Sequence, residues 1–195
     1  MKSKLATALL SATLALGGYA ASVHAYPGMQ KKQGGEVQSS VDLINVLPKA
    51  YPIEPVPFKD ALGKSIDFSQ YRGQVVMVNM WATWCPPCVR ELPAIDRFKG
   101  KFDPKQFRVL PISIDMNGKE KVEPFLASLG MDKFETYYDP QQQLGEVFPL
   151  DTIPATFILN QQGELIAFVR TYVDWDDDKA VKLIESFIAS EVKKP

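Results

Sequence analysis

Two cysteines, Cys85 and Cys88, are the residues whose type and spacing point most directly to chemistry. A C-x-x-C pair has two main interpretations, a redox centre and a metal site. A structural zinc site usually takes four Cys or His ligands, whereas the sequence has two cysteines and one histidine, His24. A static disulfide is a third interpretation, but so short a loop removes little entropy from the unfolded chain. The pattern favours thiol–disulfide exchange, and we expect no metal and no cofactor.

Exchange chemistry assigns different roles to the two cysteines. The thiolate is the attacking species, and the N-terminus of a helix favours negative charge. Pro86 and Pro87 have no N–H group, which leaves the Cys88 N–H as the nearest donor to the Cys85 sulfur. We therefore expect Cys85 to be the exposed thiol that attacks a substrate disulfide. Cys88, one turn into the helix and more buried, is expected to resolve the mixed disulfide.

Hydrophobic patterning predicts the elements that position this pair. Residues 75–80 form an apolar run typical of a strand buried on both faces, and a helix is predicted to begin at Cys85. The remaining apolar segments predict strands over 107–114, 155–159 and 164–171, helices near 122–129 and after 174–178, and two short strands around a turn at Gly63. Strands alternating with helices in this order predict an α/β fold with a parallel core and an antiparallel edge.

The segment around the cysteines resembles the active site of the thioredoxin superfamily, and more closely its exported TlpA/ResA/DsbE-like branch. The residues that carry the resemblance are Trp81-Ala82-Thr83-Trp84-Cys85-Pro86-Pro87-Cys88, Pro93 and Thr152-Ile153-Pro154-Ala155-Thr156-Phe157. It covers roughly residues 50 to 191. It implies a thioredoxin-like three-layer sandwich, with a mixed central sheet and an N-terminal β-hairpin extension. It also implies a redox disulfide between Cys85 and Cys88 and a cis peptide bond between Ile153 and Pro154 beside it.

Two further positions refine the comparison with this branch. Thioredoxin has a buried Asp six residues before the first cysteine, where this chain has Asn79, which cannot accept a proton. Exported relatives carry a Glu three residues after the second cysteine, and Glu91 stands there. A helical offset of three places Glu91 on the same face as Cys88. We expect Glu91 to relay protons for the cysteine pair, with a solvated helix glutamate as the alternative.

The expected site therefore has four catalytic residues and a surrounding group. The catalytic set is Cys85, Cys88, Glu91 and Pro154, and the surround is Trp84, Pro86, Pro87, Asn79 and Ile153. One position departs from the dedicated cytochrome c maturation members, which often have a Glu directly after the cis-proline. Here that position is Ala155.

The N-terminus has the pattern of a secretory signal. Lys2 and Lys4 precede an apolar stretch over 5–18, which is shorter than the ~20 residues that a spanning helix needs. We expect cleavage near Tyr26, which would remove His24, with an uncleaved membrane anchor as the alternative. The expected organisation is a signal peptide over 1–25, a flexible region near the N-terminus over 26–50 and a thioredoxin-like domain over 51–195.

These features predict an extracytoplasmic, for example periplasmic, thiol–disulfide oxidoreductase. Its expected activity is reduction of disulfides in exported proteins, for cytochrome c or copper-site maturation or for general thiol redox. The resemblance implies a membrane electron donor. The net charge of −1 does not suggest a nucleic-acid partner, and we expect a monomer.

One alternative function is a copper-binding chaperone or scaffold with the cysteines as ligands. Another is a disulfide oxidase or isomerase, because direction depends on the potential of the pair relative to its partners.

Overall fold

The computed structural model describes residues 38–192, so the predicted signal peptide lies outside the described part of the chain. This part forms an eight-stranded sheet and three α-helices. The strands are β1 (Asn45–Tyr51), β2 (Phe58–Lys59), β3 (Ser65–Ile66), β4 (Val75–Trp81), β5 (Phe107–Ser113), β6 (Tyr137–Tyr138), β7 (Ala155–Leu159) and β8 (Leu165–Val169). The helices are α1 (Pro86–Lys99), α2 (Gly118–Ser128) and α3 (Asp178–Val192). Within residues 38–192, no helix is both long and apolar enough to cross a membrane.

The sheet is mixed, with strand order β1-β8-β7-β4-β5-β6-β2-β3. The parallel strands β4, β5 and β6 form its centre, and β7, β8 and β1 continue it in antiparallel pairing on one side. On the other side, the β2–β3 hairpin pairs antiparallel with β6. Gly63 adopts φ +79° in the turn of this hairpin, a conformation that favours glycine. The predicted mixed sheet and N-terminal hairpin are therefore confirmed.

The core lies on both faces of β4 and along one side of α1. All seven residues of β4 are buried, which is why this strand has an apolar rather than an alternating sequence. On α1, the residues Leu92, Ile95 and Phe98 are fully buried and recur at helical spacing. The Phe98 ring lies 5.3 Å from the Trp175 ring, measured between centroids, so α1 packs against the segment that precedes α3. Burial of each such side chain contributes about 1.5–3 kcal/mol to folding, and this fixes the position of the helix that begins at the cysteines.

Two strands were not predicted from the sequence. All of β1 except Tyr51 lies within the segment expected to be flexible over 26–50, and the strand pairs antiparallel with β8 at the edge of the sheet. Its mostly exposed residues and Pro48 hide the strand pattern, but an edge strand tolerates both. β6 has two residues, too few to show any periodicity, and it is formed by pairing with β5 and β2. Tertiary pairing therefore creates both strands.

A pair of leucine substitutions tests the position of α1 in the core. Leu92 is fully buried on α1, whereas Leu62 is 89% exposed in the hairpin turn. We expect Leu92→Ala to lower the free energy of unfolding by about 2–5 kcal/mol, because it leaves a cavity. Leu62→Ala, the same chemical change at the surface, is expected to alter it by less than about 0.5 kcal/mol. Urea unfolding of the oxidised proteins measures both. Equal losses would contradict the described packing of α1.

Candidate active site

The cysteine pair lies where β4 ends and α1 begins. Cys85 is the N-cap of α1, and Cys85 and Cys88 form a disulfide. The Cys88 N–H donates a hydrogen bond to the Cys85 sulfur, with 3.3 Å between nitrogen and sulfur. Pro86 and Pro87 occupy the first two helical positions, where a missing N–H costs the helix nothing. The structure thus directs one helix N–H at the Cys85 sulfur, the arrangement that favours a thiolate there.

The two sulfurs differ in accessibility, although less than the sequence suggests. Cys88 is fully buried and Cys85 is 5% exposed in the oxidised protein. The expected order is therefore present, and the exposure of the Cys85 thiol in the reduced protein stays a prediction, because the structure contains the disulfide. The neighbouring Trp84 provides the exposed surface instead, since it is 63% exposed.

The Ile153–Pro154 peptide bond is cis, as predicted. Pro154 directly precedes β7, and β7 pairs antiparallel with β4 so that Ala155 lies opposite Met80. This register brings the start of β7 to the end of β4, which is the end of the sheet at which the cysteines lie. Ile153 and Trp84 line the same open cleft of ≈380 Å³, together with Ile114, Gln142, Leu150, Asp151 and Thr152. The predicted surround residues Trp84 and Ile153 are thus brought together.

Glu91 is a buried carboxylate and not the solvated glutamate of the alternative interpretation. It is 1% exposed on α1, three residues after the buried Cys88. The Val173 N–H donates to Oε1 at 2.6 Å, and the Asn79 amide donates to Oε2 at 3.4 Å. Burial raises the pKa of Glu91 from 4.5 to about 7, and the two hydrogen bonds lower it only in part. Glu91 can therefore gain or lose a proton near neutral pH.

Asn79 connects Glu91 to the strand that follows the cis-proline. Its amide nitrogen donates to the Thr156 hydroxyl at 3.0 Å, and Thr156 lies directly opposite Asn79 in the β4–β7 pairing. The Asn79 Oδ1 atom is buried and has no hydrogen-bond partner among residues 38–192. Asn79 therefore contacts Glu91 through its amide nitrogen and keeps one buried acceptor open.

Sequence reasoning missed a second buried carboxylate, Asp115, which holds the loop before Cys85. It accepts hydrogen bonds from the Thr83 N–H at 2.9 Å, the Thr83 hydroxyl at 2.6 Å and the Ser113 hydroxyl at 2.8 Å. Asp115 is 3% exposed and follows β5 at the carboxyl end of the parallel strands. That position was the available signal, because functional residues of parallel sheets collect at this edge.

Within residues 38–192, no three His, Cys, Asp or Glu side chains are grouped so that they could hold a metal ion. The aspartates of 174–178 instead bond to protein groups: Asp174 accepts from the Asp176 N–H at 3.1 Å, and Asp176 forms an ion pair with Arg97 of α1 at 2.6 Å.

The sheet, the disulfide-capped helix and the cis-proline define a thioredoxin-like protein. The chain belongs to the AhpC/TSA family, whose model matches residues 52–168, more than half of the sequence. Thiol-disulfide oxidoreductase ResA of Bacillus subtilis (strain 168) is 28% identical over 111 residues, which are 57% of this chain and 61% of ResA. The alignment therefore spans less than two thirds of that relative.

Solved structures show the same fold at lower sequence identity. A DsbF homologue from Corynebacterium diphtheriae superposes with a TM-score of 0.60 at 22% identity, covering 74% of this chain and 92% of its own. A secreted thiol-disulfide isomerase from Corynebacterium glutamicum gives 0.60 at 23% identity, covering 73% and 92%. These similarities confirm the predicted thioredoxin-like α/β fold.

The pKa of Glu91 predicts how stability changes with pH. Between the unfolded pKa of 4.5 and the folded pKa of about 7, the folded protein binds more protons than the unfolded chain. Glu91 therefore adds stability that is fully present below about pH 4.5 and is lost as pH rises through about 7. The loss reaches about 3 kcal/mol, and Glu91→Gln should not show it. Urea unfolding of the oxidised protein at several pH values measures the difference.

The matched control for this titration is Glu120→Gln, a change of the same chemistry at an exposed glutamate of α2. Its unfolding free energy should follow that of the wild type at every pH. Parallel curves for the wild type and Glu91→Gln would show that Glu91 ionises at its ordinary pKa.

Proposed function

We propose that this protein is an extracytoplasmic thiol–disulfide oxidoreductase that reduces disulfides in exported proteins. The observation that carries the proposal is the Cys85–Cys88 disulfide at the N-cap of α1, three residues before a buried Glu91 whose pKa is about 7. The disulfide thus lies at a helix N-terminus, on the same helix as a carboxyl group that can exchange protons near neutral pH. The ResA relative is named for this activity, and the secreted isomerase supports a place outside the cytoplasm.

In the first step, reduced Cys85 attacks one sulfur of a substrate disulfide. A bond forms between Cys85 and that sulfur, the substrate S–S bond breaks, and the second substrate sulfur leaves as a thiolate. The Cys88 N–H and the N-terminus of α1 stabilise the negative charge on Cys85 beforehand. Trp84, which directly precedes Cys85, and Ile153 line one open cleft and are available to contact the substrate chain.

In the second step, Cys88 attacks the Cys85 sulfur of the mixed disulfide. Its thiol proton must leave first, and a fully buried thiol has little access to water. The Glu91 carboxylate accepts this proton, since it lies on the same helix face and its pKa is near neutral. The Cys85–Cys88 disulfide forms and the substrate leaves with both sulfurs reduced. A dithiol donor, which we propose to be a membrane protein, then returns the two electrons to the cysteine pair.

Substrates of this reaction are exported proteins with disulfides, such as apocytochrome c or copper-site proteins before metal insertion. The copper-scaffold alternative uses both cysteines as thiolate ligands, the same reduced state from which exchange begins. Tight copper binding without thiol exchange would favour that alternative. Measuring the potential of the pair against a glutathione couple distinguishes a reductase from an oxidase.

Cysteine variants test the proposed division of roles. Cys88→Ser should trap a mixed disulfide between Cys85 and the substrate, because the resolving thiol is absent. Cys85→Ser, the matched control, should trap none, because the remaining thiol is fully buried. Non-reducing gel electrophoresis followed by mass spectrometry of the adduct identifies the linked cysteine. Adducts that form mainly through Cys88 would reverse the assignment.

Replacement of Glu91 tests proton transfer in the second step. Glu91→Gln keeps the size and an acceptor for the Val173 N–H but cannot take up a proton. We expect release of the mixed disulfide to slow about 10- to 100-fold, and the inflection of its rate near pH 7 to disappear. Stopped-flow reduction of a disulfide substrate across pH measures both effects. Glu120→Gln should match the wild type, and an unchanged profile for Glu91→Gln would assign proton transfer to water.

A further inference from the structure

The first described residues of the chain are attached to the loop between β8 and α3. Residues 39–43, here called the N-terminal segment, consist of Ser39 and the 3-10 helix Ser40–Leu43. The Ser39 hydroxyl donates to the Asp177 carboxylate, and Asp42 pairs with Lys179 at 2.9 Å. Val41 is 6% exposed and joins the core. One apolar and two polar contacts therefore anchor this segment.

Ser40 makes the contact that leads toward the active site. Its hydroxyl accepts a hydrogen bond from the Asp174 N–H at 2.8 Å. Asp174 directly follows Val173, and the Val173 N–H donates to Glu91 at 2.6 Å. Two consecutive peptide N–H groups are thus held by two different partners, Glu91 on α1 and Ser40 on the N-terminal segment. Fixing the second peptide restricts the backbone rotations of Val173, and so restricts the direction of the first N–H.

We propose that Ser40 is a positioning residue for Glu91, because it holds the peptide that keeps the Val173 N–H directed at the Glu91 carboxylate. The proposal rests on the proposed role of Glu91 in exchange. Ser40 touches neither the cysteines nor the carboxylate, and acts through one residue of the loop. The N-terminal segment thereby contributes to the acid–base properties of a site to which it supplies no side chain.

Several titratable or charged groups lie around Glu91 and set the background for this effect. On α1 the charged neighbour is Arg90, whose guanidinium lies 5.9 Å from the centre of the Tyr172 ring, while the disulfide-bonded Cys88 has no proton to lose. The loop supplies Tyr172, whose pKa is raised by burial, by Asp174 and by the Glu91 charge. From β4 and β7 come the neutral side chains Asn79 and Thr156. Removal of the Ser40 hydroxyl alters none of these groups directly.

The direction in which the Glu91 pKa should change follows from the hydrogen bond that the Val173 N–H donates to it. A donor to the charged form of a carboxylate lowers its pKa, and the Val173 N–H does so for Glu91 against the larger effect of burial. If the N–H loses its fixed direction, the carboxylate is stabilised less and its pKa rises further. We expect Ser40→Ala to raise the pKa of Glu91 by about half a unit to one unit.

The experiment is a ¹³C NMR titration of the Glu91 carboxyl in the oxidised protein, labelled at glutamate and assigned with Glu91→Gln. Ser40→Ala should show the raised pKa, and Ser40→Thr, which keeps the hydroxyl, should restore the wild-type value. Ser128→Ala removes a different exposed serine hydroxyl, one that donates to a carbonyl of α2, and should cause no shift. The double variant Ser39→Ala/Asp42→Asn, which loosens the N-terminal segment but keeps Ser40, should shift the pKa in the same direction by less.

The titration needs no substrate, so its result is independent of the exchange assay. A pKa of Glu91 unchanged in both Ser40→Ala and the double variant would overturn the proposal for Ser40 and leave the proposed exchange activity intact. A shift in the oxidised form of a protein whose reduced form fails to reduce disulfides would instead support Ser40 and contradict the proposed function. If the pKa of Glu91 shifts and the reduced protein also reduces disulfides, the inflection in the pH dependence of the release rate should move with the Glu91 pKa measured by NMR.

Discussion

β4 lies at the centre of the sheet, with β5 parallel on one side and β7 antiparallel on the other. The register of these pairings determines what meets at its carboxyl end. β4 leads into the loop and the helix that carry the cysteines, β5 brings Asp115 to that loop, and β7 brings the residues that follow Pro154. A shift of one residue in the β4–β7 pairing would turn Asn79 and Thr156 to different faces. The arrangement of the site therefore depends on this register.

The proposed role of Glu91 in proton exchange carries a cost in stability. A carboxylate moved from water to the interior loses hydration, and two hydrogen bonds recover only part of it at Glu91. A glutamine there would suit the fold better near neutral pH, but it could not accept a proton. Asp115, also buried, is held by three donors and orders a loop. Glu91 and Asp115 thus differ: Asp115 orders a loop, whereas Glu91 has the proposed role in proton exchange.

The sequence predicted the features that depend on local patterns. The strand before the cysteines, the helix start at Cys85, the hairpin around Gly63 and the cis bond before Pro154 follow from short motifs or from a resemblance carried by them. Features that depend on contacts between residues far apart in the sequence could not be predicted from it. The Glu91–Val173 bond joins residues 82 positions apart, and β1 becomes a strand only by pairing with β8. The small exposure of Cys85 likewise reflects the surrounding tertiary structure, which no motif encodes.

The exposure of Trp84 has a consequence for how this protein can be observed. The chain contains three tryptophans, and Trp81 and Trp175 are almost completely buried while Trp84 is 63% exposed. A water-soluble quencher such as iodide therefore reaches one indole and is shielded from the other two. The quenchable fraction of the intrinsic fluorescence comes from a side chain next to Cys85, and the protected fraction comes from the core. The fluorescence of Trp84 therefore reports contact at the redox centre, and the fluorescence of Trp81 and Trp175 reports whether the core remains folded.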